Sequence, residues 1–248
     1  PLVTTSPVGT PVGQAGALNN ANTTILFGND QLADTLRGGA RYTLGMNLGP
    51  RVQIEGSYFS LGELTDTFAR TSLETPILAR PFLNIVNGID DHQRVAFEGV
   101  EGLVNGSVNI EHTSRFQGAN ALGRLTVAQF GGGCGSATLQ LTGGYRYLNL
   151  EEALSINTTS TTVRDPAQVL VAGTVINVSE SFRTESTFNG GEFGLAAQFE
   201  GPNVGLDLFG RVAIGNTHEI VTIAGSTTTT VPGGGATDFC SAYAELQK

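Results

Sequence analysis

The sequence predicts an all-β protein, an antiparallel up-and-down transmembrane β-barrel of about eight strands. Three observations predict it. Long stretches alternate apolar and polar residues with the period of two that a strand imposes. Short turns alternate with long connections, as in barrels that have tight turns at one end and long loops at the other. The polar column carries arginine and carboxylates but almost no lysine, Lys248 being the single one. An enclosed interior favours the arginine fork, which bonds both oxygens of a carboxylate.

Composition sets the bounds. The chain has 248 residues, 34 of them glycine, and only 14% are charged. Soluble domains average about 25% charged residues. No apolar stretch is long enough for a membrane-crossing helix, which needs about 18 residues or more. With 13 basic against 22 acidic residues and no clustered Lys or Arg, a nucleic-acid surface is excluded. Cys134 and Cys240 could pair, but their spacing does not decide it.

The elements follow in order. Residues 1–36 are rich in Pro, Gly, Thr and Asn and read as an extended segment. Asp30 to Arg37 has the pattern of a short helix, with Asn29 or Asp30 as its cap and Gly38-Gly39 as its stop. The barrel domain is expected over 37–248. Ala40–Leu48 and Val52–Leu61 both alternate and are joined by a turn at Gly49-Pro50, so they form a hairpin. About Gly62 to Glu101 is too long for an ordinary loop and should be a folded or functional excursion. Its segment Ala79-Arg80-Pro81-Phe82 should pack over or into the barrel mouth. Strand signals return at Ser107–Val127, and the Gly131 run makes a turn. LQLTGGYRYLNL (Leu139–Leu150) carries the next strand to about Leu154. A Thr- and Asn-rich loop is expected over 155–175, then a strand over Ile176–Glu200. Within it the apolar positions change parity, from Phe182 and Phe188 to Phe193, Leu195 and Phe199. A bulge at Gly190-Gly191 would restore the register. A turn at Gly201-Pro202-Asn203 leads to Val204–Ile223, a third loop to about Gly235, and a strand from Phe239.

That count is seven strands with the last cut short, so one more would close a barrel of eight. Twelve would result if each long strand hid a turn. At eight strands the interior is filled by side chains. Aligning the strands puts Arg41, Glu55, Arg124, Arg146, Asp207 and Arg211 on the polar side, as a lumen-facing network. Leucine, valine, isoleucine and tyrosine take the other side.

The segments PLVTTSP, ILFGNDQL, RYTLGMNL, EGSYFSLGE, PILARPFLN, GGYRYLNLEE and GRVAIGNTHEIVTIAGST occur in this order along nearly the whole chain. Together they resemble the planctomycete β-barrel porin family of predicted outer-membrane proteins. The resemblance implies a bacterial outer-membrane barrel with further strand sequence beyond Lys248. Tryptophan is absent, so Tyr42, Tyr58, Tyr145 and Tyr147 must serve as the aromatic girdle.

No catalytic constellation is present. His92, His112 and His218 have no metal-ligand spacing, GGGCGS lacks the Lys of a phosphate loop, and no GxSxG occurs. Asp90-Asp91-His92 reads as a solvated loop, and His218 as a loop anchor near a strand end. The expectation is therefore no enzyme, no cofactor and no metal. The expected partners are the lipid bilayer and other envelope proteins or further copies of the chain. The expected role is a structural or envelope-organising outer-membrane barrel with a filled polar lumen. The alternatives are a porin-like diffusion channel, or a soluble secreted β-sandwich or adhesin-type surface protein.

Overall fold

A computed structural model describes residues 1–29, 35–84, 86, 88–132 and 135–247. The short helix expected at Asp30–Arg37 falls mostly outside them, and so does Cys134. The described residues form one antiparallel sheet system of twelve strands. The expected number of about eight is therefore corrected. The extra strands do not come from turns hidden in long strands. β8 (Gly102–Gly132), β9 (Gly135–Arg164), β10 (Val175–Glu200) and β11 (Gly205–Thr230) run unbroken for 26 to 31 residues. They come from the N-terminal segment and from the excursion.

These four strands and β12 (Ala236–Gln247) pair in sequence order as hairpins. On the other flank of β8 lie β4 (Val52–Leu61) and β5 (Leu64–Thr71), end to end. β3 (Gly39–Asn47) pairs with β4 and ends that side. The sheet is not closed among the described residues: β12 ends the wall on one side and β3 on the other, and the path through the insert ends at β2, so the expected closed barrel is corrected as well.

Turns at one end are short, at 48–51 and 201–204, and at the same end β8 and β9 pair as far as Gly132 and Gly135. The other end carries the excursion and the connections 165–174 and 231–235. Those last two are shorter than the sequence predicts, because the Thr-rich flanks are strand. β9 runs on to Arg164 and β11 to Thr230. Threonine is β-branched and suits a pleated surface; its polarity only marks the face that meets water.

The remaining strands build an insert over the upper half of the wall. β7 (Ile89–Gly99) pairs with β8 only at Phe97–Gly99, then leaves the wall to pair with β6 (Leu78–Asn84). β6 takes β1 (Val3–Thr5), which takes β2 (Thr24–Phe27). The insert's apolar side meets the wall. Val3, Leu78, Val95 and Ala96 pack with Val108, Ile110 and Ile156 of β8 and β9 in a buried core, flanked by Phe68, Leu154 and Phe182. Phe27 of β2 stacks on Phe68 of β5, ring centres 4.9 Å apart. A second cluster joins Ala15, Ile77 and Phe97. The apolar half of the PILARPFLN segment thus packs, while Phe82 and Leu83 at its far end stay exposed.

The bulge expected at Gly190-Gly191 is not there. Pairing runs through both glycines without a shift, toward β9 and toward β11. The change of parity has another cause. Below this level the outward face of β10 is apolar, at Phe193, Leu195 and Phe199. Above it the outward face is polar, at Arg183, Glu185 and Thr187, and the apolar residues Phe182 and Phe188 point inward. The strand keeps its register, and its surroundings change sides.

Candidate functional site

The same exchange runs across the wall in register. On β8 the inward residues Val108, Ile110 and Phe116 give way downward to Asn120 and Arg124. The outward residues Asn109, Glu111 and Arg115 give way to Ala119, Ala121 and Leu125. On β9 the outward Asn157, Ser155 and Glu151 lead down to Leu141 and Leu139. Outward hydroxyl–amide and ion pairs bridge the upper strands, as in Thr159 to Asn177 at 2.9 Å, Ser179 to Asn157 at 2.8 Å and Arg183 to Glu151 at 3.2 Å. Below, Leu44, Ile54, Leu141, Leu195, Leu208 and Ile214 all lie exposed.

The tyrosines mark the border. Tyr42 pairs with Tyr58, which pairs with Ala119, which pairs with Tyr147. Tyr145 lies one outward position lower on β9. The Tyr58 hydroxyl donates to Gln117 at 3.0 Å, and the Tyr145 hydroxyl to Asn189. From Tyr147 down to Ala137 is ten residues of β9. At ~3.4 Å per residue and a tilt near 40° this gives an apolar band roughly 25 Å tall, the height found on membrane barrels.

Inside the band lies the polar cluster. Glu55 on β4 is paired with Arg124 on β8. Glu192 on β10 takes two bonds from Arg146 on β9, at 2.6 and 3.0 Å. Arg211 on β11 sits 3.9 Å from both carboxylates. Ser57 donates to Asn120, whose amide donates to Glu192 at 3.3 Å, and Arg41 reaches Ser57 at 3.4 Å. This cluster measures the curl of the wall. β4 and β11 are separated by three strands, so on a flat sheet they would lie about 19 Å apart. Side chains from the two nonetheless approach to 3.9 Å, so the sheet bends around this face.

Five of the six residues expected in a network are brought together: Arg41, Glu55, Arg124, Arg146 and Arg211. Asp207 is not. It lies on the same face but is exposed, and it joins no ion pair or hydrogen bond. The sequence reading passed over Glu192, the central acid, whose side chain is wholly buried. Its signal was present, since it is the only charge in GGEFGLAAQF and alternates with Phe193 and Leu195.

Above the cluster the interior turns aromatic and aliphatic. Phe59 meets Phe116 edge-on at 5.3 Å, and Leu148 and Phe188 lie in the same layer. Gly118 leaves room for them: a Cβ there would stand 2.6 Å from Phe59 and 2.7 Å from Leu148. Higher still, the insert is tied to the wall by Arg80 and Glu180 at 2.6 Å. His112 faces inward, 3.9 Å from Asp66. His92 lies at the start of β7 rather than in a loop. His218 lies in mid-β11, paired with Thr187, and not at a strand end. No three potential metal ligands converge among the described residues.

A curled antiparallel wall with a charged inner face and an apolar outer band defines a porin-like β protein. A family model described as "Putative beta barrel porin-7 (BBP7)" matches residues 1–240. The chain belongs to this family. No curated protein and no solved structure matches it. Membership in a porin family points away from catalysis.

Proposed function

We propose that the protein is an outer-membrane barrel with a filled polar lumen, serving a structural or envelope-organising role. Its lower half would lie in the bilayer and its upper half above it. The observation that carries this reading is the exchange of apolar and polar faces along unbroken strands, at one level marked by tyrosines. A soluble β-sandwich has no reason to expose a band of leucine, isoleucine and phenylalanine around half its height, because contiguous exposed apolar patches on soluble proteins are small. The upper half, where the insert lies on the wall, is a local sandwich, and there the outer surface is polar.

The contents of the inner face support the filled lumen. Charged groups bridge from β4 to β11, an aromatic layer lies above them, and the insert packs on the inner face higher still. A diffusion channel, the reading the family name favours, would need these layers to leave a continuous water path.

Because the chain has no tryptophan, single-tryptophan variants report depth cleanly. In vesicles with brominated acyl chains, tryptophan at Leu141 should be strongly quenched and tryptophan at Asn157 should not. Equal quenching of the two, or full solubility without detergent, would remove the membrane reading. Heat-modifiable gel migration checks the barrel, and planar-bilayer recording checks the lumen. Stable ohmic steps would transfer the assignment to the channel.

A further inference from the structure

Within the polar cluster the charges do not balance. Four guanidinium groups, Arg41, Arg124, Arg146 and Arg211, share the region with two carboxylates, Glu55 and Glu192. Arg211 is the extreme case. Only 8% of its side chain is exposed. Both carboxylates stand at 3.9 Å, beyond hydrogen-bond reach, and the group makes no hydrogen bond. Its other neighbour is the Phe209 ring, 5.0 Å away. Its Nε is buried without a partner, and leaving a cationic donor unsatisfied out of water is costly.

The orphan donors are also aligned. Arg124, Thr142, Gly194 and Arg211 are successive partners across β8, β9, β10 and β11, one row of the inner face. In that row the Nε atoms of Arg124 and Arg211 and the Thr142 hydroxyl are all buried without a partner. The Arg211 stem lies over Gly194, where a Cβ would come within 2.8 Å of its Cγ, so the side chain runs along the wall toward Thr142. Two cationic N–H groups and a hydroxyl therefore lie along one row of the inner face, and each acid near it is shared with another arginine. Buried unsatisfied donors in native proteins call for an unseen water or ion.

We infer that this row is an anion site inside the lumen. A small inorganic anion, chloride by preference for its size, bridges Arg124, Thr142 and Arg211 and neutralises part of the surplus positive charge. Arg146, with both its bonds on Glu192, holds that acid away from Arg211. The inference rests on the lumen reading above and gives that lumen a ligand class.

The test compares sodium chloride with sodium gluconate at equal ionic strength on the full chain in detergent, gluconate being too large for the row. An anion bound only by the folded state raises the unfolding midpoint. The midpoint in chloride should exceed that in gluconate by about 2–4 °C. The difference should vanish in Arg211→Gln and shrink in Thr142→Val. Chloride NMR line width, measured on the unmodified protein, should broaden and be restored by competing bromide, which gives a readout if a variant fails to fold. Equal midpoints in the two salts together with an unbroadened chloride line would mean that water fills the row, and the inference would fall. A difference that persists in Arg211→Gln would place the anion elsewhere and overturn it too. Heat-modifiable migration of the same samples separates the two claims: its presence without a chloride effect leaves the barrel standing and removes only the anion.

Discussion

Glu192 holds a full carboxylate with none of its side chain exposed, between Arg146 and Arg211. Its geometry makes the cost bearable, because three N–H bonds reach it, two from Arg146 and one from Asn120. Removing one partner of such a buried group leaves the others uncompensated, which typically costs 3–5 kcal/mol. Glu192→Gln should therefore destabilise the fold by about 3 kcal/mol, at the lower end because Arg146 remains partly solvated, as read from denaturant midpoints in detergent. Asp207→Asn, at an exposed residue with no partner, should change the midpoint by less than about 0.5 kcal/mol. A second titratable group lies outside the wall. Asp165 opens the connection after β9, and its carboxyl is held below its ordinary value of 3.8, first by the Leu170 N–H and then by those of Ala167 and Val169, with Arg94 adding attraction, against some desolvation. A carboxyl depressed in the folded state stabilises above its unfolded pKa, and that contribution is lost as pH falls through the folded value. Protease cleavage within 165–174 should rise as pH drops below about 3.8, and Asp165→Asn should cleave readily at every pH.

At the scale of the strand, the finding is that one ladder can serve two environments. β9, β10 and β11 pair without a shift along their shared ladders, and β8 does so from Val104 to Thr126, with shifts only near its two ends. The side that is greasy below the tyrosines is polar above them, and the reverse holds for the inward side. Register cannot slip within such a strand without placing charge in the band and leucine above it. The expected consequence is a depth-dependent response to charge. Leu141→Arg, in the middle of the band, should cost about 2–4 kcal/mol in lipid. Asn157→Arg, on the same face of the same strand, should be nearly neutral. A matched loss at both sites, measured by urea-induced unfolding from vesicles, would contradict the band. The parity change at Gly190-Gly191 was visible in the sequence, but a bulge and a change of surroundings leave the same trace. Only the pairing of Asn189 with Tyr147 and of Glu192 with Gly144, continuous across the glycines, separates them.

At the scale of the molecule, a curled wall and an insert share one core through Val3, Leu78, Val108 and Ile156. The insert contributes few residues of strand and is held by that core and by Arg80–Glu180. The wall below it has its own ion pairs and its own ladders. Leu78→Asp should free the insert to protease while heat-modifiable migration of the wall persists; loss of both together would show that they fold as one unit. The sequence by itself determined seven of the twelve strands, the glycine-marked turns, the tyrosine level and the arginine column, because a period of two and turn chemistry are local properties of the chain. It did not determine the strand number, since β1, β2, β5 and β6 are only three to eight residues long, and β1 and β5 take their partners in β6 and β8 from far along the chain. Nor did it determine that Glu192 is the acid Arg211 faces, or that Asp207 stands apart. Those depend on how far the sheet curls, and curl is the summed twist of many pairs, which no single segment encodes.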